Sequence, residues 1–179
     1  MNNDEENYTF PKNSFKPLYA EIKHRLCNPI GQVSFWVAFW VGLVGLGGMG
    51  IWVEWYRASP AGASLENLRT ALHTFYPAIA FTACLQLILG EKDKKYVQSA
   101  AAGAAVLILL VSAFLTASDA KISQLWSIGV GVVVSVIAVL LWWIANGLEP
   151  IFQDGIPADA ATGGDPLAGL AGDVKDFKQ

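Results

Sequence analysis

Residues 122 to 144 read ISQLWSIGVGVVVSVIAVLLWWI, and no Asp, Glu, Lys or Arg interrupts them. As a helix rising about 1.5 Å per residue, this stretch reaches roughly 35 Å, enough to cross a hydrocarbon core of about 30 Å. Three more uncharged runs precede it, Val33 to Val53, Ala71 to Leu89 and Val97 to Thr116, and the shortest reaches about 28 Å at the same rise. Hydrophobic residues make up 54% of the chain and charged residues only 15%. A water-soluble all-α domain would need a polar face on most of its helices, and these runs have none. The sequence therefore predicts an all-α polytopic membrane protein, with four transmembrane helices in an antiparallel bundle and short amphipathic cytosolic helices at both ends.

Three regions follow: a polar N-terminal segment at 1–32, the transmembrane domain at 33–146, and a tether with a terminal helix at 147–179. The first run is longer than the core of a cleaved signal peptide, which spans about 7–15 residues, so it is expected to stay as an anchor. Orientation depends on where Lys and Arg lie, not on the net charge of −3. Lys12, Lys16, Lys23 and Arg25 precede the first run, and Lys92, Lys94 and Lys95 fill the second connection. The opposite connections carry only Arg57, Arg69 and Lys121. This asymmetry predicts an inner-membrane protein with both termini in the cytoplasm. Trp and Tyr at the run ends, including Trp36, Trp52, Trp55, Trp142 and Trp143, read as interfacial belts.

Between residues 15 and 26 a stripe of Phe15, Leu18, Tyr19, Ile22 and Leu26 marks one helix, capped by Ser14 and stopped at Asn28-Pro29. Two placements stay open for it: flat on the inner leaflet, or packed against the protein's own cytosolic loops. Glu66 lies in the first turn of the second helix, Pro77 is expected to kink or loosen it, Ser118 or Asp119 caps the fourth, and Asn146-Gly147 with Pro150 ends it. The tail from Pro150 is too poor in apolar residues to fold alone, but Asp165 and Pro166 open a short amphipathic helix with Leu167, Leu170, Val174 and Phe177 on one face. Such a helix is marginal in water, so its face is expected to bind a soluble cytosolic protein.

Two ladders of small residues share one spacing: Ser34, Ala38, Gly42 and Gly45 in the first run, and Ser127, Gly131, Ser135 and Ala138 in the fourth. In a bilayer such grooves favour close helix contact, and their number predicts packing together with homo-oligomerisation. Thr74, Thr82 and Gln86 form the one credible polar stripe for a pore lining, and His73 reads as a pH-sensitive gate or a hydrogen-bonded anchor. No nucleophile with a positioned base, paired acids, metal-ligand spacing or phosphate loop is found. The sequence thus assigns no catalytic, cofactor-binding or metal residue, and no nucleic-acid partner. The expected role is a non-enzymatic membrane component that holds a soluble partner. A homo-oligomeric ion-conducting pore and an accessory subunit of a larger membrane complex are the alternatives.

A short chain with four spans, both ends inside, small-residue packing and polar cytosolic tails resembles the small four-span membrane proteins that accompany soluble partners in bacterial anti-phage defence systems. The resemblance covers the spans and assigns no residue. It implies a membrane sensor or effector role.

Overall fold

The computed structural model describes residues 15–58, 65–90, 94–117 and 123–155, and every regular element among them is helical. Helix α1 spans Phe15–Cys27 and passes through a 3-10 turn at Asn28–Gly31 into α2, Val33–Val37. A π-helix, Ala38–Gly47, leads to α3, Met49–Ala58. The long helices are α4, Leu65–Gly90, α5, Lys95–Ala117, and α6, Gln124–Asn146, and a 3-10 turn at Pro150–Phe152 follows.

Three helices, α4, α5 and α6, are each long and apolar enough to cross a membrane. The count becomes four if the pieces 15–31 and 33–47, bent by 94°, form one span. The contacts favour a different fourth traverse, made by residues 33–58. Phe35 packs on Trp142 and Trp143 at one end of α6, whereas Glu54 shares a recess with Asn67 and Thr70 near the start of α4. The first apolar run therefore travels the length of the bundle in pieces.

Its interruption has a local cause. The amide of Gly48 donates to the carbonyl of Leu43 at 3.0 Å, a five-residue step of π type. A Cβ at Gly48 would overlap the carbonyl oxygen of Val44, so only glycine fits the junction. The indole Nε1 of Trp52 donates to that same Val44 oxygen at 2.8 Å, giving a partner to an acceptor at the helix break. Trp52 thus points back along its own run instead of serving purely as an interfacial anchor.

Helix α4 is central and packs on α5, α6 and α3. Ala80, Ala83 and Ala138 are fully buried, and such small side chains let helix backbones approach closely. Leu87 of α4 clusters with Val97 and Ala101 of α5, and Tyr76 with Ile108 of α5 and Val134 of α6. Helix α4 runs unbroken through Pro77. Helix α6 begins later than expected, because the Ser123 side chain accepts from the amide of Trp126. That makes Ser123 the cap; Ser118 and Asp119 lie outside the described residues. Large apolar side chains cover the outer faces, among them Leu107, Leu110 and Phe114 on α5 and Val132, Val133 and Ile137 on α6.

Candidate functional site

Polar chemistry concentrates at the end of the bundle where α6 finishes, here termed the Arg25 end. Helix α1 lies across it. Arg25, only 2% exposed, donates from Nε to Glu21 Oε1 at 2.8 Å and from Nη1 to the carbonyl of Ile144 at 3.4 Å. Lys94 Nζ reaches the same Glu21 oxygen at 2.8 Å. Burial pushes the Glu21 carboxyl upward, but hydrogen bonds and charge from Lys94 and Arg25 outweigh it and hold the group below its ordinary value of 4.5. Buried ion pairs add little net stability but are costly to break, and loss of Glu21 would take a carboxylate from both Arg25 and Lys94.

Two other bonds fasten α1 and its turn to the end of α6. Trp143 Nε1 donates to the Leu26 carbonyl at 3.2 Å, and Asn28 Nδ2 donates to the Gly147 carbonyl at 3.0 Å. A Cβ on Gly147 would overlap the Arg25 carbonyl oxygen. The backbone of Gly147 is right-handed, φ −64° and ψ −18°, so glycine serves close approach here and not a left-handed helix stop. Helix α6 does end at Asn146, as expected, and Gly147 at its cap also makes room for the Arg25 backbone.

The stretch after α6 folds back on the start of the first run. Asp154 accepts from the backbone amides of Val33 and Ser34, and its own amide donates to Gln32 Oε1 at 2.8 Å. The acid thereby caps α2, and bonds from the Ser34 side chain and from both amides lower its pKa. Beneath the cap, Phe35, Phe39, Trp36, Trp143 and Phe152 form edge-on ring contacts at 4.9–6.0 Å. Trp142 joins them in tilted contacts. Part of the expected aromatic belt is therefore packed core.

Gln86 belongs to this end as well. Its Nε2 donates to Asn146 Oδ1 at 3.3 Å and to Glu149 Oε1 at 2.9 Å, while Asn146 Nδ2 donates to the Trp142 carbonyl. Gln86 is thus a cross-helix clasp, separated in role from Thr74 and Thr82. Both threonines are exposed and give their hydroxyls to carbonyls of their own helix. The three residues do not form one lining within a single chain.

The ladders also divide. Ser127, Gly131, Ser135 and Ala138 are buried, and a Cβ at Gly131 would stand 3.4 Å from Leu72 Cβ of α4. Ser34, Gly42 and Gly45 are exposed and Ala38 is half-buried; among the described residues nothing approaches a Cβ at Gly42 within 4 Å. The two ladders therefore do not face each other, and among the described residues only the fourth-run ladder serves an internal contact. At the opposite end His73 Nε2 lies 3.3 Å from Ser127 Oγ and its ring meets Tyr76, as a hydrogen-bonded anchor would. Tyr76 is fully buried, and its hydroxyl has no hydrogen-bond partner among the described residues.

Glu21, Lys23 and Arg25 lie off the apolar stripe of α1 and by sequence read as its charged face. The four-residue spacing of Glu21 and Arg25 was the signal that could have revealed an ion pair. Nothing local marks Lys94, Asn146, Glu149 or Asp154 as partners of distant residues. No cluster of His, Cys, Asp and Glu suited to a metal exists among the described residues. Leu167, Leu170, Val174 and Phe177 lie outside the described residues. No protein-family model, curated protein or solved structure matches the chain.

Proposed function

We propose that this chain is a non-enzymatic inner-membrane component with four spans in an antiparallel bundle and both termini in the cytoplasm, and that it assembles with its own copies and holds a soluble protein. The observation that carries the membrane part is the distribution of apolar exposure. Val37, Val41 and Leu46 of the first run, Leu107, Leu110 and Phe114 of α5, and Val132, Val133 and Ile137 of α6 are all at least 45% exposed. Apolar surface on so many helices exceeds what a soluble monomer displays and suits hydrocarbon. The unburied ladder of Ser34, Ala38, Gly42 and Gly45 supports assembly between copies. The braced Arg25 end gives the following tail a fixed point of departure, and the resemblance to defence-associated four-span proteins suits a sensor or effector that recruits a soluble protein.

A pore would have to form between copies, with Thr74 and Thr82 turned toward a shared axis. Deleting residues 160–179 tests the partner-holding role. The shortened protein should keep its membrane insertion while losing the protein that co-purifies in mild detergent, and Phe177→Ala or Leu170→Ala should weaken that binding by about 2 kcal/mol. Full activity of the shortened protein, with ion flux through its purified oligomer in liposomes, would replace this function with a pore.

A further inference from the structure

A crevice of about 360 Å³ lies between the first run, α4 and α6. Val44, Gly48 and Trp52 form one wall, Phe75 the second, and Val132 and Val136 the third. We propose that it is a binding site for one acyl chain of a membrane phospholipid. The inference rests on the membrane location proposed above.

The lining selects hydrocarbon. Its two polar side chains are already engaged in the wall: Ser135 donates its hydroxyl to the Gly131 carbonyl at 2.7 Å, and the Trp52 indole donates to the Val44 carbonyl. No Lys or Arg is among the described residues that line the crevice, so the carboxylate of a free fatty acid would find no cation among them. A phospholipid needs none, because its headgroup remains at the bilayer surface. Size selects a chain over a helix: a cavity of roughly 150 Å³ admits one benzene, whereas a helix is about 10–12 Å across with its side chains. The crevice therefore takes a hydrocarbon segment. Lipid on a convex helix face touches protein on one side, but a chain seated here touches three helices and gains correspondingly more dispersion contact. Its first-run wall is the junction at Gly48, so the seated chain would rest against the broken part of that run.

The test is native mass spectrometry of the full-length protein released from phosphatidylcholine nanodiscs into mild detergent. The natural chain should retain one phospholipid mass. Filling the crevice from α6 with Val132→Phe plus Val136→Phe should cut the retained fraction at least tenfold, and Leu140→Phe, on the same wall, should lower it too. All three positions are 47–55% exposed, so the larger ring needs no space in the core, and circular dichroism checks helicity. Val133→Phe, on the neighbouring outer face, should retain lipid like the natural chain. Equal retention in the filled and natural proteins overturns the site. So does a fatty-acid mass in place of phospholipid, or a lipid-free dimer whose crosslinks centre on Val136. Release of the chain by a carbonate wash would instead overturn the membrane location itself.

Discussion

Replacing Gly147 with Ala adds one methyl group where the chain has no room for it. The new Cβ would overlap the Arg25 carbonyl oxygen and stand 3.0 Å from the Arg25 carbonyl carbon and 3.1 Å from the Trp143 carbonyl oxygen. Relief requires α1 and the end of α6 to separate by on the order of 1 Å, since non-bonded carbons settle at roughly 3.5–4.0 Å. The Asn28–Gly147 and Trp143–Leu26 bonds, at 3.0 and 3.2 Å, cross that gap, and so does the already long Arg25–Ile144 bond at 3.4 Å. At about 0.5–1.5 kcal/mol for each bond, the docking of α1 should weaken by about 2–4 kcal/mol. The pairing of α4 with α5 and α6 does not depend on this contact. Hydrogen exchange followed by mass spectrometry is therefore the informative assay: protection in residues 15–27 should fall roughly 30- to 700-fold, with protection in α4 and α5 unchanged. Gly31→Ala, where no described residue lies within 4 Å of the added Cβ, is the control. Unchanged α1 protection in Gly147→Ala, or equal loss throughout the bundle, would refute the reasoning.

Gly131→Leu should separate α4 from α6, because Leu72 Cβ stands 3.4 Å from the site of its Cβ, and should lower the thermal midpoint. Gly42→Leu should leave that midpoint in place while shifting crosslinked species toward monomer, and unchanged assembly would remove the exposed ladder from consideration. Because folding lowers the Glu21 pKa below 4.5, its contribution is present in full above that pH and is lost as pH falls through the folded value. Acid should therefore loosen α1 before the bundle, and Glu21→Gln should flatten that pH dependence of α1 protection; an identical acid profile would exclude the carboxylate. In intact cells, Gly62→Cys should react with an impermeant maleimide and Asp93→Cys should not, and the reverse pattern would invert the proposed orientation.

The helices were legible because length and apolarity are written locally: α4 and α5 contain the runs that announced them, and α6 covers its run from Gln124 onward. Features made by distant pairs were not. The stripe in α1 was sound as periodicity, yet Tyr19 is 71% exposed while Arg25 is buried. Hydrophobicity alone cannot foresee that Glu21 and an α6 carbonyl will satisfy a guanidinium. Equal spacing likewise hid the unequal fates of Gly42 and Gly131, since a ladder describes one helix and not its neighbour. The first run read as one uninterrupted span, so neither the break at Gly48 nor the indole of Trp52 bonding back to Val44 was foreseen.

The bonds that close the Arg25 end join residues 117, 119 and 121 positions apart in the chain. During synthesis from the N-terminus, α1 emerges long before the Ile144 carbonyl that Arg25 meets. Closing loops of that length carries a large entropic cost, recovered only once α6 is in place. Helix α1, the first made of the described helices, is therefore seated only after α6. A ribosome that stops short of Trp143 would release a chain with α4 and α5 complete and α1 unlatched, displaying Leu18, Ile22 and Arg25 to whatever inspects nascent membrane proteins.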